Sequence, residues 1–302
     1  MLIYLTLSEL TLPVDLRYAE TARFFSAPDL SAPTAGITPA AISDWELAEA
    51  LRLGMPDSPE SEYSILSGAC SDVLIPFDRA LFHAVALRWR GFAWLIVAAS
   101  GVGKTTQFRT LDALRPGEFS MICGDRPVLD FRGDRVLVWP SPWDGKEHLH
   151  GAPPSPLAGI IFLERGEKNN LVALTEREAI LRAYPAWIYN AKDASAVEKI
   201  AAFETKLLTS VPRWRLTVAT VPHPPHESLP LAGKGDRAAV DEVPPGRRTS
   251  PVKPSPRGEG GTRSVTNEVL SDDCSLPPLP DVSASAKLLL DSVFTEAILP
   301  RD

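Results

Sequence analysis

Apolar residues recur along the first two-thirds of the chain with two spacings, one typical of strands and one typical of helices. Continuous or alternating apolar runs predict eight strands, and the run at 93–98 has the length of a central strand covered on both faces. Gly91 and the pair Gly133-Asp134 mark turns between strands. The predicted strands cover residues 2–7, 81–88, 93–98, 120–123, 128–131, 136–139, 157–163 and 214–218.

Apolar residues three and four positions apart predict helices between these strands. Ser43 or Asp44 is the predicted N-cap of the first helix, and Thr175 with Glu178 forms a capping box at the fourth. Together the strands and helices predict an α/β protein. The predicted helices cover residues 42–53, 65–74, 105–114, 175–183 and 193–208.

Residues 221–279 interrupt this pattern with a stretch rich in Pro, Gly, Arg and Ser that has no apolar period. Such a segment buries too little apolar surface to offset its ordering entropy, so the sequence predicts a disordered insertion. Helical spacing returns near 284–294. The predicted organisation is an irregular α/β region packed on the core at 1–80, the core at 81–220, the insertion, and a helix within 280–302 that returns to the core.

Composition narrows the class of protein. Of the 302 residues, 44% are hydrophobic and the formal net charge is −7, which disfavours non-specific binding to nucleic acid. The three cysteines are widely spaced and predict neither disulfides nor a zinc site. The N-terminus lacks the features of a signal peptide, and no apolar run is long enough to span a bilayer. We expect a cytoplasmic protein without a membrane partner, and leave a homo-oligomer open.

The segment that follows the apolar run at 93–98 fits the pattern G-x-x-x-x-G-K-[ST], with Ala98 in place of the first glycine. Gly101 and Gly103 let the backbone turn its N–H groups toward phosphate oxygens. Lys104 is expected to reach the β- and γ-phosphates and Thr105 to offer its hydroxyl to Mg²⁺. A strand before and a helix after it favour a P-loop over a chance Gly-rich turn. The predicted nucleotide contacts are Ser100, Gly101, Val102, Gly103, Lys104, Thr105 and Thr106.

A P-loop site also needs an acidic residue at the end of a neighbouring strand to hold Mg²⁺. Asp125 follows the short apolar strand 120–123 and meets this need. The alternative is a turn residue that bonds its own backbone, as Asp often does. We favour the metal role, because Asp125 lies one strand after the P-loop helix.

Four segments together resemble a known family: residues 81–87, then Gly91, then AASGVGKTT, then GDRPVL. They are similar to the catalytic domain of HPr kinase/phosphorylase and its wider relatives, and the resemblance covers about residues 60–220. It implies a P-loop domain of the HPr kinase/phosphoenolpyruvate carboxykinase type with a mixed sheet. It further implies that His83 lies near the phosphates and that Asp125 is a Mg²⁺ ligand or the base. Where HPr kinases have two adjacent acids, this chain has Gly124 before a single Asp125.

Two further segments carry chemistry-bearing side chains. Residues 139–148 hold Trp143, Asp144, Lys146 and Glu147 among prolines. This loop either reads a substrate, with Trp stacking on a base or acceptor, or is a Trp-anchored surface loop with solvated charges. The second segment ends another strand, where Glu164 or Arg165 either reaches the site or forms a charged hairpin tip.

Two functions fit these residues. The first is an ATP- and Mg²⁺-dependent kinase that phosphorylates a Ser or other hydroxyl of a protein, peptide or small molecule, with Asp125, Lys104 and His83 as catalytic residues. The second is a nucleotide-binding sensor or scaffold without catalysis. Ala98 and the single Asp125 keep the second open.

Overall fold

The apolar runs of the chain pair into two β-sheets in a computed structural model that describes residues 1–25, 32–190, 194–219 and 280–295. The strands are β1 (Leu2–Leu7), β2 (Leu10–Asp15), β3 (Ala40–Ala41), β4 (Arg79–Phe82), β5 (Val85–Trp89), β6 (Phe92–Val97), β7 (Phe119–Cys123), β8 (Val128–Asp130), β9 (Leu137–Trp139), β10 (Ser155–Gly166), β11 (Asn170–Ala173), β12 (Trp187–Ile188) and β13 (Arg213–Ala219). The helices are α1 (Asp44–Arg52), α2 (Pro59–Leu74), α3 (Lys104–Leu114), α4 (Glu176–Ala183), α5 (Ala194–Ser210) and α6 (Pro280–Ser292).

The larger sheet is mixed and contains ten of the described strands. Strand β10 is parallel to β6 on one side and to β13 on the other, and its first residues also pair antiparallel with β9. Strand β5 lies antiparallel between β6 and β7. Because β5 is antiparallel to both neighbours, β6 and β7 run in the same direction and end at the same edge of the sheet. The chain is therefore an α/β protein with a large mixed sheet.

A smaller sheet at the start of the chain consists of the β1–β2 hairpin and β3. Its turn is joined to the larger sheet by a buried polar contact: the Ser8 hydroxyl donates to Asp130, and Arg79 Nε donates to Ser8. Arg79 and Asp130 are each only 2% exposed. An ion pair this deeply buried is retained only where its desolvation is offset by direct partners, and here each charge has the other as well as Ser8.

Most predicted elements are present, with their ends shifted by a few residues. The capping box predicted at Thr175 and Glu178 is confirmed. Of the two N-caps predicted for the first helix, Ser43 is the one observed, and it also forms a capping box with Glu46. The helix predicted at 65–74 begins earlier than expected, at residue 59: Ser58 caps α2 and a proline occupies its first turn, where the missing N–H costs nothing. Strand β2 was not predicted, because Pro13 within the run argues against a strand.

The continuous strand predicted at 81–88 is also wrong. The structure breaks it at His83 and Ala84 into β4 and β5, which pair with different neighbours. At the break, the His83 N–H donates to the Ala186 carbonyl and the Ala84 N–H donates to the Asp125 carbonyl. A single apolar run therefore serves two parts of the sheet, and His83 lies at the junction.

Helix α6 packs on the same face of the sheet as α3. Leu289 of α6, with Val293 and Phe294 directly after it, belongs to one apolar cluster with Trp89 and Trp94. The Phe294 ring lies edge-on to these two indoles, at 5.4 and 4.9 Å between ring centroids. The insertion predicted at 221–279 lies outside the described residues. Among the residues that are described, no helix has the length and apolar character needed to cross a bilayer.

Removal of the Phe294 ring tests the contribution to the core of α6 and the residues directly after it. Phe294→Ala should lower the free energy of unfolding by about 3–5 kcal/mol, because it empties a site enclosed by aromatic rings. Lys287→Ala, on the exposed side of the same helix, should change it by no more than about 0.5 kcal/mol. Urea denaturation followed by circular dichroism measures both. Equal stabilities of the two variants would show that α6 is not part of the core.

Candidate functional site

Four chain segments meet at one edge of the large sheet. Strands β6, β7 and β10 run in the same direction and end there, and antiparallel β5 begins there. The segment after β6 is the glycine-rich loop, the residue pair after β7 is Gly124-Asp125, and His83 precedes β5. Arg165 lies near the end of β10. The sheet topology thus brings together residues that are far apart in sequence.

The glycine-rich loop has backbone angles that need glycine. Gly101 and Gly103 have φ of 76° and 118°, in the region that residues with a side chain rarely adopt. Gly103 is the N-cap of α3 and offers no side chain to the N–H groups of the first turn. In contrast, Ser43, Ser58 and Thr175 cap α1, α2 and α4 with their hydroxyls. The first-turn amides of α3 therefore remain available to a ligand.

The loop borders a cleft of about 370 Å³. Val102 is not among the lining residues, because its side chain packs against the apolar cluster beneath the sheet. The other predicted loop residues and the predicted acid do line it. The lining consists of Ser100, Gly101, Gly103, Lys104, Thr105, Thr106, Gly124, Asp125, Asp144, Gly145, Lys146, Glu147 and Leu149.

Lys104 is directed inward and is only 8% exposed, although a lysine next to a glycine-rich loop would ordinarily be expected to face solvent. Its Nζ donates to the Ala98 carbonyl at 2.9 Å and lies 3.1 Å from His83 Nε2. The same Nε2 is 3.3 Å from Asp125 Oδ1. In one tautomer His83 accepts from Lys104, and with a proton on Nε2 it donates to Asp125.

The ionisation of these groups follows from their surroundings. Burial by itself favours the neutral form of Asp125, but the His83 hydrogen bond and the charges of Arg126 and Lys104 outweigh it, so the pKa of Asp125 lies below its usual value. Burial lowers the pKa of Lys104, against the opposing effect of the Asp125 carboxylate. Asp125 is therefore a carboxylate at neutral pH.

The loop between β9 and β10 was predicted either to contact a substrate or to be anchored by tryptophan. Trp143 is 2% exposed, its indole N–H donates to the Tyr63 carbonyl, and its ring stacks on Tyr63 with centroids 6.0 Å apart. The indole is thus part of the core, which agrees with the alternative of a Trp-anchored loop and not with Trp143 stacking on a base or acceptor. Lys146 and Glu147 do line the cleft, with Glu147 paired to Arg109 at 2.6 Å.

Asp144 is the most buried acid of this loop, with its side chain 5% exposed. Its two oxygens contact His148 Nδ1 at 3.0 Å and His150 Nδ1 at 2.6 Å. Both oxygens are thereby occupied by ring nitrogens that belong to the loop itself. Asp144 therefore fixes the conformation of the loop beside the cleft.

Gly124 explains the departure from a pair of adjacent acids. A Cβ at this position would overlap the carbonyl oxygen of Asp144 and lie close to the carbonyl oxygen of Leu149. The loop backbone takes up the space in which a side chain at 124 would lie. A second acid directly before Asp125 is sterically excluded by the fold of this chain.

Two arginines lie at the site: Arg126 was not predicted there from the sequence, and Arg165 was one of two candidates at its strand end. Arg126 Nε lies 3.2 Å from Asp125 Oδ2, and Arg165 donates to the Gly101 carbonyl at 2.6 Å. The available signal was their position near the carboxyl end of a strand that reaches the site: Arg126 follows Asp125 after β7, and Arg165 is the second-last residue of β10. Glu164 was the other candidate beside Arg165, but it pairs with Arg182 and Arg215, away from the cleft lining.

These features define a class: a mixed α/β protein whose sheet edge holds a glycine-rich loop, a buried lysine and a carboxylate. No family model matches the chain, and no curated protein does. Among solved structures it is similar to the HPr(Ser) kinase/phosphatase from Coxiella burnetii, with 11% identity over 43% of this chain and 89% of that chain. The TM-score of 0.22 is too low to support a statement on fold or function, so the site is interpreted from its own geometry.

A methyl group at position 124 tests the contact between Gly124 and the loop. Gly124→Ala should lower the free energy of unfolding by about 1–3 kcal/mol, because the loop backbone must move to admit the Cβ. Gly133→Ala is the matched control, since a Cβ there meets only ordinary contact with Arg135 at 3.8 Å. Urea denaturation of both proteins gives the comparison. A Gly124→Ala protein as stable as the control would contradict this packing.

Proposed function

We propose that this chain is an ATP-dependent phosphotransferase of the HPr-kinase-like P-loop type, which uses Mg²⁺ to phosphorylate a hydroxyl acceptor. The observation that carries the proposal is the contact chain from Lys104 through His83 to Asp125 beside the glycine-rich loop. It places a cation suited to phosphate next to a carboxylate suited to a hydroxyl proton, in one cleft.

The loop supports nucleotide binding through its backbone. The uncapped amides at the start of α3 and the left-handed glycines form a concave set of donors that suits phosphate oxygens. Lys104 adds a positive charge whose Nζ is already held by the Ala98 carbonyl and His83 Nε2. Little side-chain entropy is therefore lost when phosphate binds. In this proposal Ser100 to Thr106 contact the phosphates and Lys104 contacts the β- and γ-phosphates.

Mg²⁺ suits the donor set of the cleft. Across the described ranges, no three His, Cys, Asp or Glu side chains are arranged as a metal site. Mg²⁺ does not need such a cage, because it is commonly held by one or two protein oxygens, water and substrate phosphates. The Thr105 hydroxyl and the Asp125 carboxylate, which both line the cleft, are the groups that would hold it. When bound, Mg²⁺ would supply neutralisation of the phosphate charge.

Asp125 is the proposed acceptor of the hydroxyl proton. Its lowered pKa keeps it ionised, and His83 and Arg126 each hold one of its oxygens. His83 is then a positioning residue for both Asp125 and Lys104, because its Nε2 contacts the two of them. The role proposed for Asp125 is similar to that of the catalytic-loop aspartate of protein kinases, which orients the substrate hydroxyl and accepts its proton.

The nucleotide part of the proposal is tested at Lys104. Lys104→Met should weaken ATP binding by about ten- to a hundredfold, because it removes a charge-assisted contact worth about 1.5–3 kcal/mol while filling the buried space. Methionine is chosen over alanine because the stem of Lys104 is buried. Lys168→Met, at an exposed position, is the control and should bind ATP as the wild type does. Calorimetry that finds equal ATP affinity in both folded variants would refute the P-loop assignment.

The catalytic part is tested at Asp125. Asp125→Asn should bind ATP within about threefold of wild type but lose Mg²⁺-dependent ADP release by about a hundredfold or more, because an amide neither accepts the proton nor neutralises Mg²⁺. Asp134→Asn, on an exposed turn, should keep full turnover. Steady-state ADP release measures both. Undiminished turnover of Asp125→Asn would place the chemistry on another carboxylate, and absence of ADP release from the wild type with every acceptor would favour a nucleotide-binding sensor.

A further inference from the structure

A second groove, of about 340 Å³, lies next to the loop-lined cleft. Its polar lining includes Ser64, Ser67, Arg126 and Asn190, and Trp187 contributes an apolar wall. His83 also lines this groove. This volume is at the small end of the range for ligand sites, so the groove suits a small molecule.

The groove and the cleft share one boundary. His83 and Arg126 line the groove, while Asp125 and Lys104 line the cleft. His83 Nε2 contacts both Lys104 and Asp125, and Arg126 Nε contacts Asp125 Oδ2. A molecule in the groove therefore lies beside the His83 and Arg126 side chains that contact Asp125, the residue to which we assign the hydroxyl proton.

Arg126 is held in a fixed orientation at the groove. Its Nη1 donates to the Ser64 carbonyl at 2.8 Å and to the Ser67 hydroxyl at 2.6 Å, and its Nη2 donates to the Ser64 hydroxyl at 3.2 Å. Nε lies beside Asp125, so of the five N–H groups of Arg126 only one, on Nη2, makes none of these contacts. A preorganised guanidinium with a remaining donor is suited to bind an anionic oxygen.

The charged residues of the groove also favour an anionic ligand. Among the residues that the structure describes, an arginine and a histidine line the groove, and no aspartate or glutamate does. Asn190 donates through its backbone N–H and Nδ2 to Asp72, which leaves the amide oxygen as an acceptor for a hydroxyl. Together these groups match a small ligand with one carboxylate and at least one hydroxyl.

We propose that this groove binds the phosphoryl acceptor, and that the acceptor is a small hydroxy acid whose carboxylate contacts Arg126. This inference rests on the proposed function. The acceptor oxygen forms a bond to the γ-phosphorus, the bond from that phosphorus to the β–γ bridging oxygen breaks, and its electron pair leaves with ADP. The hydroxyl proton passes to the Asp125 carboxylate.

Matched acids and alcohols test the chemistry of the acceptor. Each of three hydroxy acids is compared with the alcohol that lacks its carboxylate: glycerate with ethylene glycol, lactate with ethanol, and 3-hydroxybutyrate with propan-2-ol. With the full chain, ATP and Mg²⁺, at least one acid should stimulate ADP release at least tenfold more than its alcohol. Equal effects within every pair, or stimulation only by a polypeptide, would overturn the proposal.

Variants of the groove test its location. Ile65 lines the groove and is partly exposed, so Ile65→Trp should fill it and remove the stimulation by the acid while leaving ATP affinity within twofold. Leu181→Trp, at a 76% exposed position of α4, is the control and should retain the stimulation. Arg126→Gln should raise the half-saturating acid concentration about ten- to a hundredfold. Undiminished stimulation in Ile65→Trp would overturn the location.

Calorimetry with ATP alone separates this inference from the proposed function. If the wild type fails to bind ATP, the proposed function fails first. If the wild type and Ile65→Trp bind ATP alike but no acid outperforms its alcohol, only the assignment of the acceptor fails.

Discussion

The hydrogen bonding of β5 between β6 and β7 is the constraint on which the site depends. Because β5 is antiparallel to both strands, their carboxyl ends share one edge with the beginning of β5. The glycine-rich loop, Asp125 and His83 then meet without any long connection. The Ala84 N–H that donates to the Asp125 carbonyl at 2.9 Å completes this arrangement and sets His83 beside the carboxylate. A shift of β5 by one residue against its neighbours would move His83 away from Lys104, which follows β6, and from Asp125, which follows β7.

Close backbone packing determines which side chains this edge carries. The loop between β9 and β10 is anchored by the buried Trp143 and by Asp144, and its backbone lies against Gly124. This packing leaves room for one acid after β7 and brings Lys146 and Glu147 to the cleft. The same loop that was considered as a substrate contact is therefore first a structural element, which shapes the cleft from one side.

The charged groups at the edge alternate in sign, and each depends on its neighbours. Lys104, Asp125 and Arg126 form a sequence of cation, anion and cation, with His83 between the first two. Such an arrangement keeps Asp125 ionised despite its burial. The two cations beside Asp125 also face different cavities: Lys104 lines the cleft with the glycine-rich loop, and Arg126 lines the polar groove.

The sequence by itself determined the local features: most strands and helices, the helix caps, the turn at Gly91, and the glycine-rich loop that leads into the helix beginning at Lys104. These depend on residues close together in the chain, where apolar period, capping and glycine conformation act directly. Only the tertiary structure decided the break at His83, the burial of Lys104 and Trp143, and the positions of Arg126 and Arg165. Each of these is set by strand partners and backbone contacts between distant segments, such as Gly124 against Asp144, which no local pattern encodes.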